Sequence, residues 1–215
     1  MRPVVSIVGK AGAGKTILIE RLVTEFKQRG YRIATVKHSQ HNVEIDQPGK
    51  DSYRFAQVGS DAVVISSPNK LAFIKGVDHN PGLEEVLSLI GDDFDLVLTE
   101  GFRHEEVPKI EVHRRELGGE LLCPPEELWA IASDEPLDLN VNQLPLNDTR
   151  EIADFIERNV PFIWEEGTSL SVNGNSIFIN PFVQEIIART TLAITSTLKG
   201  VGEIRSLDIS VRKKP

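Results

Sequence analysis

The segment Gly9-Lys10-Ala11-Gly12-Ala13-Gly14-Lys15-Thr16 constrains this chain more than any other. It satisfies G-x-x-x-x-G-K-[ST] in full, and its flanks decide what the pattern means. Before it, Pro3 to Val8 is a short apolar, β-branched run of the kind buried on both faces of a sheet. After it, Lys15 to Arg29 carries Ile17, Ile19, Leu22, Val23 and Phe26 at helical spacing and stops at Gly30. Tyr31 to Val36 is the next strand. Strand, glycine loop, helix and strand make a βαβ unit with parallel strands. A loop in that context is a phosphate cradle. Its glycines let backbone N–H groups turn inward, and the helix adds free N–H groups and a positive dipole end. Lys15 is expected to reach β- and γ-phosphates, and Thr16 to place its hydroxyl on Mg²⁺.

The pattern continues through the chain. A polar stretch, Lys37 to Lys50, precedes a short helix over Asp51–Val58. Ala62–Ser66 and Leu71–Ile74 read as strands joined at Pro68-Asn69, and Leu83–Ile90 as a helix. Strands follow at Asp95–Thr99, Lys109–His113 and Leu128–Ala132, then a helix at Thr149–Asn159. Such alternation predicts an α/β fold, a doubly wound, mostly parallel sheet of P-loop NTPase type flanked by helices. The rhythm breaks after residue 159. Ser169–Asn173 and Ser176–Ile179 alternate around an Asn173-Gly174 turn signal, Pro181 opens a helix through Leu198, and Glu203–Val211 alternates again. We expect a nucleotide-binding domain over residues 1–159. A small β-β-α-β appendage over 160–215 follows, joined through Val160 to Gly167.

Composition narrows the function. A net charge of −8 over 215 residues is a poor basis for sequence-independent nucleic-acid binding, which needs Lys and Arg to displace counterions. The single cysteine, Cys123, excludes an internal disulfide and a CxxC metal site, and reads as a packed thiol. The run Val4–Val8 is too short for a secretory h-region, and no stretch has the length of a membrane span. The expectation is a cytoplasmic protein that binds neither membrane nor nucleic acid.

Other residues qualify for the site by position. Phe94 to Phe102 is a Walker-B-like strand ending in Glu100 at the sheet edge where ligands bind, so Glu100 is a candidate for Mg²⁺. Lys15 and Glu100 are the best candidates for a catalytic part, with no general base in view. Asp95, at the other end of that strand, reads as a capping or surface residue. After the second strand, His38, His41 and Asp46 form a weak metal trio. They are better read as loop residues beside a Mg-nucleotide, with Asp46 a candidate second carboxylate for the metal. Lys50 and Arg54 are candidates for an anion. Asn69-Lys70-Leu71-Ala72 lacks the Asp of NKxD; Asp134 after a late strand is a candidate acceptor for guanine N1 and N2, or a capping Asp. His79, His104 and His113 read as surface or loop residues.

Lys10 makes the loop similar to the deviant P-loops of the dimeric SIMIBI class, although Ala11 stands where glycine is usual. That resemblance implies a lysine reaching the partner's nucleotide; the alternative is a solvated lysine. The ordered set of Gly9–Thr16, Val36-Lys37-His38, Asp46 with Pro48 to Arg54, Leu98 to Phe102 and Pro108 to Val112 resembles the MobB family over residues 3 to 158. The resemblance implies a dimer that binds GTP with Mg²⁺, hydrolyses it slowly at most, and assists the guanylyltransferase MobA in joining GMP to molybdopterin. Lys37, His38, Lys50, Arg54, Arg103 and Lys109 are then candidates for phosphate or pterin. His38 to His41 is a thinner His cluster than many members carry, and short members lack the appendage. Two rivals are a small-molecule kinase with an arginine lid at Arg103, Arg114 and Arg115, and a non-catalytic module whose P-loop stabilises a dimer.

Overall fold

The computed structural model describes residues 3–39, 41, 43–91, 93–160, 168, 170–172, 175–202, 204, 207, 209 and 211. The chain divides into two compact units, Met1–Phe162 and Ile163–Pro215.

The first unit is built on a six-stranded parallel sheet. Its strands are β1 (Val4–Gly9), β2 (Ile33–Lys37), β5 (Leu96–Glu100), β6 (Lys109–His113), β7 (Ala130–Ser133) and β8 (Asn142–Pro145), in the order β2-β5-β1-β6-β7-β8. Register brings Lys37 opposite Glu100, Ile7 opposite Glu100, Gly9 opposite Val112 and His113 opposite Ser133. All the strand ends that carry site residues therefore share one edge.

Alternation along the strands explains the two covered faces. Val5 and Ile7, Leu96 and Leu98, Ile110 and Val112, Ala130 and Ala132 share one core cluster. Helices α1 (Lys15–Gln28) and α4 (Thr149–Asn159) cover them with Leu18, Leu22, Phe26, Ile152 and Ile156. Asp148 caps α4 by accepting from the Glu151 N–H at 2.9 Å. The opposite face holds smaller clusters: Val4, Ala34, Val97 and Phe102 under α3 (Leu83–Ile90), and Val8, Cys123, Leu128 and Ile131 under the loop after β6.

Helix α2 (Asp51–Gln57) lies where its pattern predicts. Strands β3 (Ala62–Ser67) and β4 (Lys70–Lys75) differ from the expected alternation. They pair only with each other, as an antiparallel hairpin outside the main sheet. The main sheet instead takes β8, whose sequence carries no strand pattern: Asn142-Gln143-Leu144-Pro145 is mostly polar, and only Leu144 is buried. It is an edge strand, where Pro145 is tolerated.

In the second unit, β9 (Leu170–Val172) pairs antiparallel with β10 (Asn175–Ile177), and α5 (Pro181–Ser196) follows. Pro181 occupies the first turn of α5, and Asn180 Oδ1 accepts from the Val183 N–H at 3.0 Å. The Asn173-Gly174 turn, most of the Val160–Gly167 connection and much of the Glu203–Val211 strand lie outside the described residues. Among the described residues, no helix is long and apolar enough to cross a membrane.

Candidate functional site

The site begins where β1 ends. Gly9 has φ 140°, and a Cβ there would meet the Val112 carbonyl oxygen at 2.6 Å, so β1 can leave the sheet beside β6 only with glycine. Gly12 and Gly14 also take left-handed φ values, 79° and 95°, and Gly14 starts α1. Lys15 folds back over the loop, its Nζ donating to the Gly9 carbonyl at 2.9 Å and the Lys10 carbonyl at 2.8 Å. That is the position from which an ammonium can exchange carbonyl oxygens for phosphate oxygens.

Thr16, one residue into α1, donates from Oγ1 to Glu100 Oε2 at 2.8 Å. The other carboxylate oxygen of Glu100 lies 3.4 Å from Lys37 Nζ. A hydroxyl and a carboxylate side by side at the mouth of the glycine loop are the hard oxygen donors that would hold Mg²⁺, so the chemistry of the Thr16–Glu100 pair fits the metal.

Beyond Glu100 the chain turns sharply. Gly101 (φ 106°) and Phe102 (φ 55°) are both left-handed, and Gly101 sits so close to His38 that a Cβ would lie 3.1 Å from the His38 Cβ. Left-handed backbone at a residue with a side chain costs about 1–2 kcal/mol; burial of the Phe102 ring, 4.5 Å from the His38 ring, offsets it. Beneath the turn, Ser6 Oγ donates to the Gly101 carbonyl at 2.8 Å and contacts Thr99 Oγ1 at 2.6 Å. A hydroxyl has one proton, so Thr99 is the donor to Ser6. His38 thus packs against the turn through its ring.

The loops after β6 and β7 interlock on the other side. Arg114 Nε donates to the Ala13 carbonyl at 2.9 Å, and its guanidinium lies 3.6 Å from Asp134 Oδ2. The Arg115 N–H donates to Asp134 Oδ1 at 2.8 Å. Glu135 meets His113 Nε2 at 3.0 Å and Arg115 Nε at 3.0 Å. The hydrogen bond from His113 holds the Glu135 carboxyl below the ordinary carboxylate range. Lys10 Nζ donates to the Gly118 carbonyl of the same loop. His113, expected at the surface, is buried, because its strand ends under this cluster.

Several candidates lie elsewhere. Lys109 is buried and 3.8 Å from Glu127. In register with Ser6, three residues back from the Gly9–Val112 pair, it lies roughly 10 Å from the phosphate edge. The strand reaches the edge with His113. Asp46 Oδ1 accepts from the Ser52 hydroxyl at 3.0 Å and the Gln47 N–H at 2.8 Å, and with Lys50 it lines a groove of about 660 Å³ between α2 and β3. Arg54 is exposed, 3.8 Å from Asp51, and Arg103 is exposed and donates to His104. Among the described residues there is no cluster of three His, Cys, Asp or Glu that could hold a metal, so the His38, His41 and Asp46 trio does not form. Asp95 pairs with Arg32 at 2.8 Å on the far edge. Cys123 is buried, and burial pushes its thiol up. The residue that sequence reading left out of the site is Arg114, which entered only as a lid candidate.

The family model described as MobB, molybdopterin guanine dinucleotide synthesis protein B, matches residues 4–134. The chain belongs to the MobB family. A Haemophilus influenzae molybdopterin-guanine dinucleotide biosynthesis adapter protein is 36% identical over 156 residues, covering 72% of this chain and 88% of its own. A crystal structure of molybdopterin-guanine biosynthesis protein B superimposes with a TM-score of 0.57 at 32% identity, over 72% of this chain and 97% of that one. A putative molybdopterin-guanine dinucleotide biosynthesis adapter protein of Methanocaldococcus jannaschii, 25% identical over 232 residues, aligns with 97% of both chains, so the similarity to that relative extends over the second unit as well. The parallel sheet and flanking helices are those of MobB structures.

Proposed function

We propose that this chain binds GTP with Mg²⁺ at the Gly9–Thr16 loop as a homodimeric, at most slowly hydrolysing adapter for the guanylyltransferase that joins GMP to molybdopterin. Membership of the MobB family makes its role an accessory one in synthesis of molybdopterin guanine dinucleotide. The observation that carries the nucleotide reading is the 2.8 Å Thr16–Glu100 pair beside Lys15, at the mouth of a glycine loop. Thr16 and Glu100 would hold Mg²⁺, which would supply charge neutralisation for the phosphates. Lys15 holds the phosphates, Lys37 positions Glu100, and Asp134 accepts from guanine. Lys50, Arg54 and Arg103, being exposed, are available to an anionic pterin or to the transferase. The homodimer is supported by exposed apolar residues of the β3–β4 hairpin, Val64, Leu71 and Phe73, and the protein is proposed to act in the cytoplasm. For Lys10 to serve a partner's nucleotide, it must exchange the Gly118 carbonyl for phosphate. The kinase alternative loses one of its three lid arginines, since the Arg114 guanidinium is held by Ala13 and Asp134, whereas that of Arg115 is exposed and meets only Glu135.

Calorimetric titration of the purified chain with GTP and with ATP, each with Mg²⁺, tests the reading. GTP is expected to bind more tightly, and Lys15→Ala to abolish the heat. Preference for ATP would overturn the molybdenum-cofactor assignment and favour the kinase.

A further inference from the structure

We infer that Arg114 is a positioning residue that aims the P-loop amides and ties them to the base-side carboxylate Asp134; the inference rests on the GTP reading above. Arg114 directly follows β6, whose end is paired with the end of β1. Its guanidinium meets three parts of the site at once. Nε donates to the Ala13 carbonyl at 2.9 Å, Nη2 lies against Gly14 at a distance where a Cβ would sit 3.3 Å away, and Nη1 stands 3.6 Å from Asp134 Oδ2.

The consequence follows from the peptide plane. In a trans peptide the C=O and the next N–H point in opposite directions. With the Ala13 carbonyl held outward by Arg114, the Gly14 N–H faces the opposite way, into the loop that receives the triphosphate. Gly14, at φ 95°, has no side chain to hold that peptide, and glycine rotates readily. An external anchor is therefore needed to keep the amide aimed before the ligand arrives. The planar fork suits this task where an ammonium does not, because it can address a carbonyl and a carboxylate from fixed directions. Asp134 is fixed a second time by the Arg115 N–H at 2.8 Å, so the base-side loop and the phosphate loop are held as one piece.

The test is calorimetric titration of the full chain with Mg-GTP and Mg-ATP, for wild type, Arg114→Met, Arg114→Lys, Asp134→Asn and the Arg114→Met/Asp134→Asn double variant. Thermal melts serve as a folding control. Loss of a charge-assisted hydrogen bond should weaken GTP binding by about tenfold or more in Arg114→Met. ATP binding should fall less, so the GTP-to-ATP preference shrinks. Arg114→Lys should recover only part of the loss, and the double variant should lose less than the product of the single losses. Arg114→Met binding both nucleotides as wild type does, or independent, multiplicative losses in the double variant, would overturn the inference. If Arg114→Met does not fold, Arg114→Lys decides: wild-type affinity and preference in it overturn the inference equally. Failure of the underlying reading looks different, since wild type itself would then take no GTP or prefer ATP.

Discussion

On one face of the six-stranded sheet, Val5, Ile7, Leu96, Leu98, Ile110 and Val112 meet α1 and α4 in an apolar contact. On the other, Ser6, Thr99, Lys109 and Glu111 interrupt the apolar surface, and all four are buried. The same strands build both faces, because successive side chains alternate. The difference lies in what the buried groups hold. The apolar face holds two helices by area, without direction. The polar face holds loops by directed bonds: Ser6 holds the Gly101 turn, and Glu111 accepts from the Leu122 N–H at 2.7 Å and the Cys123 N–H at 3.0 Å. Hydrogen bonds fix position where apolar contact alone leaves it adjustable, and the loops at the site edge need position.

The largest effect that tests this division is expected at Leu22, fully buried between α1 and the sheet. Leu22→Ala should lower stability by about 2–5 kcal/mol in urea denaturation, with nucleotide affinity unchanged while the protein stays folded. Glu111→Gln comes next. It sets an amide donor against one of two backbone donors, and should cost about 1–3 kcal/mol. If it proved neutral, the claim that the polar face holds its loops by directed bonds would fail at the buried side chain that accepts from two loop N–H groups. Ser6→Ala should cost only about 1 kcal/mol of stability, yet it should weaken Mg-nucleotide binding in calorimetry, because Gly101 follows the metal candidate Glu100. Equal stability loss with no change in binding would make Ser6 a core residue like any other.

The smallest effect concerns pH. Glu135 has a lowered pKa in the folded protein, so its contribution is fully present above the unfolded carboxylate value, about 4.3. The contribution is lost as pH falls through the lower folded value. Denaturation of wild type and Glu135→Gln from pH 7 to pH 3 should show a stability difference at neutral pH that shrinks on acidification. A difference constant with pH would mean that the His113 and Arg115 contacts do not depend on the charge.

Local pattern carried much of the fold into view. The limits of Leu83–Ile90, Lys109–His113 and Thr149–Asn159 agree between periodicity and structure, because each segment buries a face that its own sequence marks. The glycine loop and Glu100 were legible for the same reason: their chemistry depends on residues adjacent in the chain. β8 was not, since one buried leucine in four residues gives no period. Nor was the burial of Lys109. Its own residues mark the strand, but which part of that strand reaches the site edge depends on register with β1.

The sequence by itself determined a parallel α/β unit that opens with a phosphate loop, because a βαβ unit, its glycine positions and its Lys15-Thr16 pair are all set within a single stretch of chain. Only the tertiary structure decided that β5 lies between β2 and β1, bringing Glu100 to Thr16, and that Arg114 braces Ala13 from 101 residues away. Those contacts depend on strand order and on the side to which each loop returns. Many strand orders bury the same apolar residues, so hydrophobic pattern does not choose among them.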